Sequence, residues 1–151
     1  MGAVMGAAMM QSPRLERRLD WDLCLARWAE GRFGVPLVWG QVDCAMLCFE
    51  AIDAQCGTTV AAHFRGRWHS AWSARRFSRQ VISLPAALLE AGLREVRGAP
   101  QRGDVITIPA DGWDCGYVCL GGSVISAWLN AGVALAHTPA QPEPGQRVWR
   151  I

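Results

Sequence analysis

The sequence predicts an α+β domain: helices first, then a small antiparallel sheet of hairpins. Up to Gly92 apolar residues recur at three- and four-residue spacing, the period of a helix. Beyond Pro100 they gather in short runs separated by turn residues, the pattern of paired strands. The chain has 151 residues, 51% of them hydrophobic and 19% charged, which is enough apolar matter for one packed core and too much for a disordered chain. Helices and strands that follow one another, instead of alternating, segregate into two layers.

The elements follow in order. Residues 1–13 read as an N-terminal arm and 14–151 as a single domain. Met1 to Met10 is small and apolar, has no basic segment and is too short for a signal peptide; Met5, Met9 and Met10 are alternative starts, and a tail docking on a partner is the other reading. A first helix is expected to open at Ser12-Pro13, with Leu15, Leu19, Leu23, Ala26 and Ala29 as its apolar face, and to end at Gly31 before a Gly34-Val35-Pro36 turn. A second runs from about Asp43 to Gln55, with Asp43 as N-cap and Gly57 as stop. Residues 58–68 read as irregular. Further helices are expected at Ala71–Gln80 and Leu84–Glu90. Strands are expected at Val105–Ile108, Tyr117–Leu120, Val124–Ala127 and Gly132–Leu135, and Arg147–Ile151 reads as a last strand at an edge. Residues 138–146 form a Pro-rich loop.

Several functions are disfavoured by composition. All fifteen basic residues are Arg, they are scattered, and the net charge is only +2, so no nucleic-acid stripe forms. No run of 18 apolar residues exists to span a membrane. The six cysteines, at 24, 44, 48, 56, 115 and 119, read mainly as reduced, small apolar residues, because a chain of this size needs no disulfide staples. Cys-x-x-x-Cys at 44–48 and again at 115–119 is not the usual zinc spacing, and no metal or cofactor is expected.

The most informative stretch is Trp39-Gly40-Gln41-Val42-Asp43-Cys44 with the apolar helix behind it. It places Cys44 in the first turn, where free N–H groups and the helix dipole favour a thiolate, the attacking form in cysteine hydrolases. The glycines around it read as turn and close-approach positions. Trp68, Trp72 and Trp113 stand in loop-like or polar surroundings and are candidate anchors for a partner.

Trp39-Gly40 followed by Asp43-Cys44, Gly103-Asp104-Val105 opening a strand, and Cys115-Gly116-Tyr117-Val118-Cys119-Leu120-Gly121 together resemble the NlpC-type cell-wall cysteine peptidases, which have a papain-like fold. A closer likeness is to a group of uncharacterised phage tail proteins related to them. It rests on the same Trp-Gly-x-x-Asp-Cys, on Phe64-Arg65-Gly66-Arg67-Trp68, on Arg102 to Val105 and on Val148-Trp149-Arg150-Ile151, and it covers about residues 14–151. The resemblance implies a location among tail-tip components of long, flexible-tailed phages. It also implies a catalytic histidine on the second strand, and there this sequence has Asp114 and Cys115, neither of which offers a neutral imidazole. A third polar residue of the peptidases falls near Ser126 without a clear match. His63, His69 and His137 lie elsewhere in the sequence.

Three functions follow as expectations. The first is a structural component of a phage tail tip, part of the virion, that packs on other tail-tip and hub proteins. The second is an active peptidase or amidase that cuts host peptidoglycan, with Cys44 as nucleophile. The third is a metal-binding or iron–sulfur adaptor built on Cys44, Cys48, Cys115 and Cys119.

Overall fold

A computed structural model describes residues 14–138 and 141–151; the expected N-terminal arm and the Ser12-Pro13 helix start lie outside them. The helices are α1 (Trp21–Arg32), α2 (Cys44–Cys56), α3 (Val60–Phe64), α4 (Ala71–Gln80) and α5 (Leu84–Ala91). The strands are β1 (Arg94–Val96), β2 (Val105–Ala110), β3 (Trp113–Cys119), β4 (Ser123–Trp128), β5 (Gly132–His137) and β6 (Arg147–Arg150). They form one six-stranded sheet in the order β1-β6-β2-β3-β4-β5, with every described neighbour pair antiparallel. The α+β reading holds. Among the described residues no helix is long and apolar enough to cross a membrane.

Helix α2 is the central element. Met46, Leu47, Cys48, Phe49, Ala51 and Ile52 are all buried, so it is apolar nearly all round. It packs on β3 and β4 on one side and on α1 and α3 on the other. Its ends are those the sequence gives: the Asp43 side chain accepts from the Met46 N–H, and Gly57 closes the helix in a left-handed conformation. Helix α4 begins at Ser70, whose side chain exchanges hydrogen bonds with Ser73 in a capping box. Helix α5 has Ser83 as its cap and Gly92 as its stop.

Three expectations change. The first helix starts at Trp21, because Arg18 N–H is held by the Gln55 carbonyl at the end of α2 and the chain before it cannot coil. Its buried stripe is Leu25 and Ala29, with Trp21 and Trp28 beside it; Leu19 and Leu23 face solvent. Residues 58–68 contain the short helix α3, whose first N–H groups at Val60 and Ala61 are capped from a distance by Asp53. Finally, β6 is not at an edge. It lies between β1, a short strand the alternation did not reveal, and β2. Two side-chain contacts fix it there: Arg150 makes a bidentate ion pair with the fully buried Asp104, and Trp149 Nε1–H donates to Thr107 Oγ1.

Candidate functional site at the start of α2

The start of α2 is built around the Asp43 carboxylate. One oxygen accepts the Met46 N–H at 2.9 Å; the other accepts the Gly40 N–H at 2.8 Å and the Trp68 indole N–H at 2.7 Å. Asp43 is therefore a buried N-cap and an organiser of the Trp39-Gly40 turn. Gly40 has φ +77° and presses against Trp68: a Cβ there would lie 1.9 Å from the Trp68 carbonyl oxygen. That contact gives the physical reason for a glycine before Asp-Cys.

Cys44 is the first residue of the helix and is 9% exposed. Its neighbour across the layer is β3. A Cβ at Gly116 would come within 2.6 Å of Cys48 Sγ and 3.1 Å of the Cys44 carbonyl oxygen, so the bare glycine lets the helix start sit directly on the strand. Cys115 and Gly116 are the strand residues that most affect the charge state of the Cys44 thiol.

The expected Cys44 thiolate is overturned by these surroundings. Hydrogen bonding to Cys115, then burial and the nearby Asp43 carboxylate, hold the Cys44 thiol well above its ordinary value; Gly116 N–H opposes them without prevailing. The Cys115 thiol shifts the other way: hydrogen bonding with Cys44 brings its pKa down to about 7, against burial and the charges of Asp114 and Asp111. The more exposed sulfur carries the charge because water can still solvate it. Cys48, deeper under α2, is pushed far up by burial.

Beside Cys44 lies a cavity of about 40 Å³, walled by Trp39, Asp43, Trp68, Trp113 and Asp114. Asp114, on the strand at the place of the expected imidazole, thus faces the same space as Cys44; burial raises its pKa, with Arg147 opposing. None of the three histidines lines this cavity. His63 is on α3, His69 precedes α4, and His137 ends β5 at the far edge of the sheet. Ser126 is buried and donates to the Gly116 carbonyl at 2.7 Å, a bond between β4 and β3.

The tryptophan expectations divide. Trp68 is 5% exposed, with its indole tied to Asp43 and its ring against Phe77, so it is core and not a partner anchor. Trp113 is half-buried, tilted against Trp39 and covered by the Arg75 guanidinium. Trp72 is 66% exposed, with Arg76 over its ring. The cysteine adaptor finds no geometry. All six thiols are free, Cys119 lies with Ile106 and Val124 in a separate apolar cluster, and among the described residues no three His, Cys, Asp or Glu side chains converge as a metal requires.

Two features were missed in the sequence. One is the buried Glu50 on α2, which accepts from Trp28 Nε1 and pairs with both Arg32 and Arg65; a Glu inside an apolar helical run was its signal. The other is the influence of Cys115 on the Cys44 thiol, for which the local sequence holds no signal. No curated protein and no solved structure matches the chain. A family model described as a domain of unknown function, DUF6950, matches residues 16–151, and the chain belongs to that family.

Proposed function

We propose that this protein is a structural component of a phage tail tip, built on a papain-like, NlpC-type scaffold whose thiol site has lost its hydrolytic pair. The observation that carries the second half is the environment of Cys44. Its thiol is buried, keeps its proton, and shares its cavity with a carboxylate where the peptidases have an imidazole. A hydrolase needs a base beside its nucleophile.

The tail assignment rests on the resemblance, and the motif residues behind it have structural duties here. Gly40 and Asp43 build the helix start. Arg65 Nη1 donates to the Gln41 carbonyl and Arg65 Nη2 to Glu50, and Gly66 N–H donates to the Gly40 carbonyl, so the Phe-Arg-Gly segment locks the Trp-Gly turn. Arg102 pairs with Asp22, and Asp104 with Arg150. The shared pattern therefore describes a framework more than a reaction centre, and Trp72 with Arg76 offers an exposed contact point for neighbouring subunits.

The test is to purify tails from the phage or prophage that encodes the chain and to compare wild type with Cys44→Ala. The proposal expects the protein in the particle by mass spectrometry, unchanged plating with Cys44→Ala, and no clearing of purified cell wall by the isolated protein. Its absence from particles sinks the tail assignment. Clearing of cell wall that Cys44→Ala abolishes sinks the structural reading and establishes the peptidoglycan hydrolase.

A further inference from the structure

We propose that the outer face of α4 is a docking surface for an acidic protein segment, with Trp72 as its apolar centre and Arg75, Arg76 and Arg79 as its carboxylate clamps. The contact that the tail reading invokes at Trp72 is thereby given a chemical class. The surface stands on its own charge and exposure, whether or not the chain serves in a tail.

Trp72, Arg75, Arg76 and Arg79 are spaced i, i+3, i+4 and i+7 along α4, which puts all four on one face of the helix. The opposite face is occupied: Ala74 is buried, and Phe77 packs on the Phe64 and Trp68 rings. Trp72 is 66% exposed, and Arg76 and Arg79 are exposed. The Arg76 guanidinium lies 5.3 Å from the centre of the Trp72 ring, and its Nε donates to Gln80 Oε1, so ring and charge are presented together. Arg79 rests on the β2–β3 turn, where a Cβ on Gly112 would collide with its Nη2. Arg75 is half-buried, with its guanidinium 5.4 Å from the centre of the Trp113 ring. Its Nε is buried and has no hydrogen-bond partner among the described residues.

The charge of this face is uncancelled, and that points to the partner. Arg18, Arg32, Arg65, Arg102, Arg147 and Arg150 each pair with a carboxylate. Among the described residues Arg75, Arg76 and Arg79 form no ion pair, and Arg67, over the Phe77 ring, adds a fourth unpaired guanidinium beside α4. The carboxylates of the adjoining β2–β3 hairpin are Asp111 and Asp114, and Asp114 faces the Cys44 cavity instead. An incoming carboxylate supplies both the counter-charge and the missing acceptor, and the planar fork of Arg binds it through two hydrogen bonds. Trp and Arg are also the side chains that concentrate binding energy at protein interfaces. A nucleic acid fits less well, since it needs a longer basic track and the net charge is only +2. A second copy fits less well too: the exposed carboxylates without an arginine, Glu16, Glu30, Glu90, Asp111 and Glu143, each come singly from a different element or loop.

The experiment titrates the full-length chain into a fluorescein-labelled peptide of alternating Glu and Leu and follows anisotropy. The same peptide with Gln for Glu, an oligothymidylate and phosphatidylglycerol vesicles serve as the competing chemistries. The acidic peptide should bind, less tightly as salt rises, and the Gln peptide should not. Arg76→Gln combined with Arg79→Gln should weaken binding at least about fivefold. Arg94→Gln combined with Arg97→Gln removes the same charge from exposed positions at and just after β1, the far edge of the sheet, and should change it by less than about twofold. Trp72→Ala leaves the charge unaltered and should weaken binding about tenfold. These side chains are exposed, and an unchanged thermal midpoint confirms that each variant folds. Equal losses in the two double variants would show an effect of net charge alone and overturn the proposal. So would undiminished binding by Trp72→Ala or no binding of the acidic peptide by the parent chain. Tighter binding of the oligothymidylate or of the vesicles would also overturn it, handing the face to nucleic acid or to an anionic membrane.

Discussion

Helix α2 carries two buried carboxylates, and they are satisfied in opposite ways. Asp43, at the N-terminus, accepts three hydrogen bonds from neutral donors: two backbone N–H groups and the Trp68 indole. Glu50, two turns further on, accepts one indole N–H and pairs with two guanidiniums, Arg32 at 2.7 Å and Arg65 at 2.9 Å. Both are well hydrogen-bonded, but only at Glu50 is the charge cancelled locally. The uncancelled charge of Asp43 is felt by the thiols beside it, and it raises both Cys44 and Cys48. The helix start therefore combines the hydrogen-bond geometry of an N-cap with an electrostatic setting hostile to a thiolate at Cys44. A helix dipole alone did not decide the state of that sulfur.

The comparison predicts unequal losses. Asp43→Ala removes the cap and leaves the Gly40 N–H and Trp68 Nε1 without partners in the core. A lost cap costs about 1 kcal/mol and each of the two buried orphan donors about 1–3 kcal/mol, so a destabilisation of about 3–7 kcal/mol is expected. By thermal denaturation that is a fall in Tm of roughly 10 °C or more for a chain of this size. Glu50→Gln keeps an acceptor for Trp28 and the two arginines, and those arginines are 31% and 37% exposed, so water can take over part of their solvation. The expected cost is about 1–2 kcal/mol, and it should shrink as salt screens the wild-type pairs. A larger loss from Glu50→Gln than from Asp43→Ala would mean that charge cancellation, and not the geometry of neutral donors, dominates the stability of α2.

These two carboxylates also mark how much was legible in the sequence. The cap was readable because it is local: an Asp, an apolar run at helical spacing and a closing Gly57 lie within one short segment. So were the positions of α4 and α5. What failed was non-local. Leu15, Leu19 and Leu23 compete with Trp21, Leu25, Trp28 and Ala29 as an apolar stripe, and only the bond from Arg18 to Gln55 chooses between them. The alternation in Val148-Trp149-Arg150 identifies a strand but not its neighbours; those are set by Asp104 and Thr107, more than forty positions away. Trp68 looked exposed because its flanks are polar, yet its partner is Asp43. Cys115 was noticed only as a departure from an expected histidine, since the register that brings Gly116 under α2 is absent from any local pattern.

A third carboxylate extends the comparison to the smallest effect. Asp114 lies next to Cys115 on β3, and its charge raises the pKa of that thiol, while the proton offered by Cys44 lowers it more strongly. Asp114→Asn removes the anion and leaves the Cys44 hydrogen bond in place. The Cys115 thiolate then forms more readily, so the midpoint of its alkylation rate against pH should move below about 7, the value in the parent chain. Cys44→Ala works the other way, since the thiolate loses its donor and the midpoint rises toward that of an ordinary cysteine. The rise should exceed the fall, because the hydrogen bond outweighs the charge of Asp114. Iodoacetamide labelling of Cys115 across the pH range, read by peptide mass, measures both. A midpoint that stays near 7 in both variants would show that neither neighbour sets the charge of this sulfur and would break the contrast drawn between cancelled and uncancelled carboxylates.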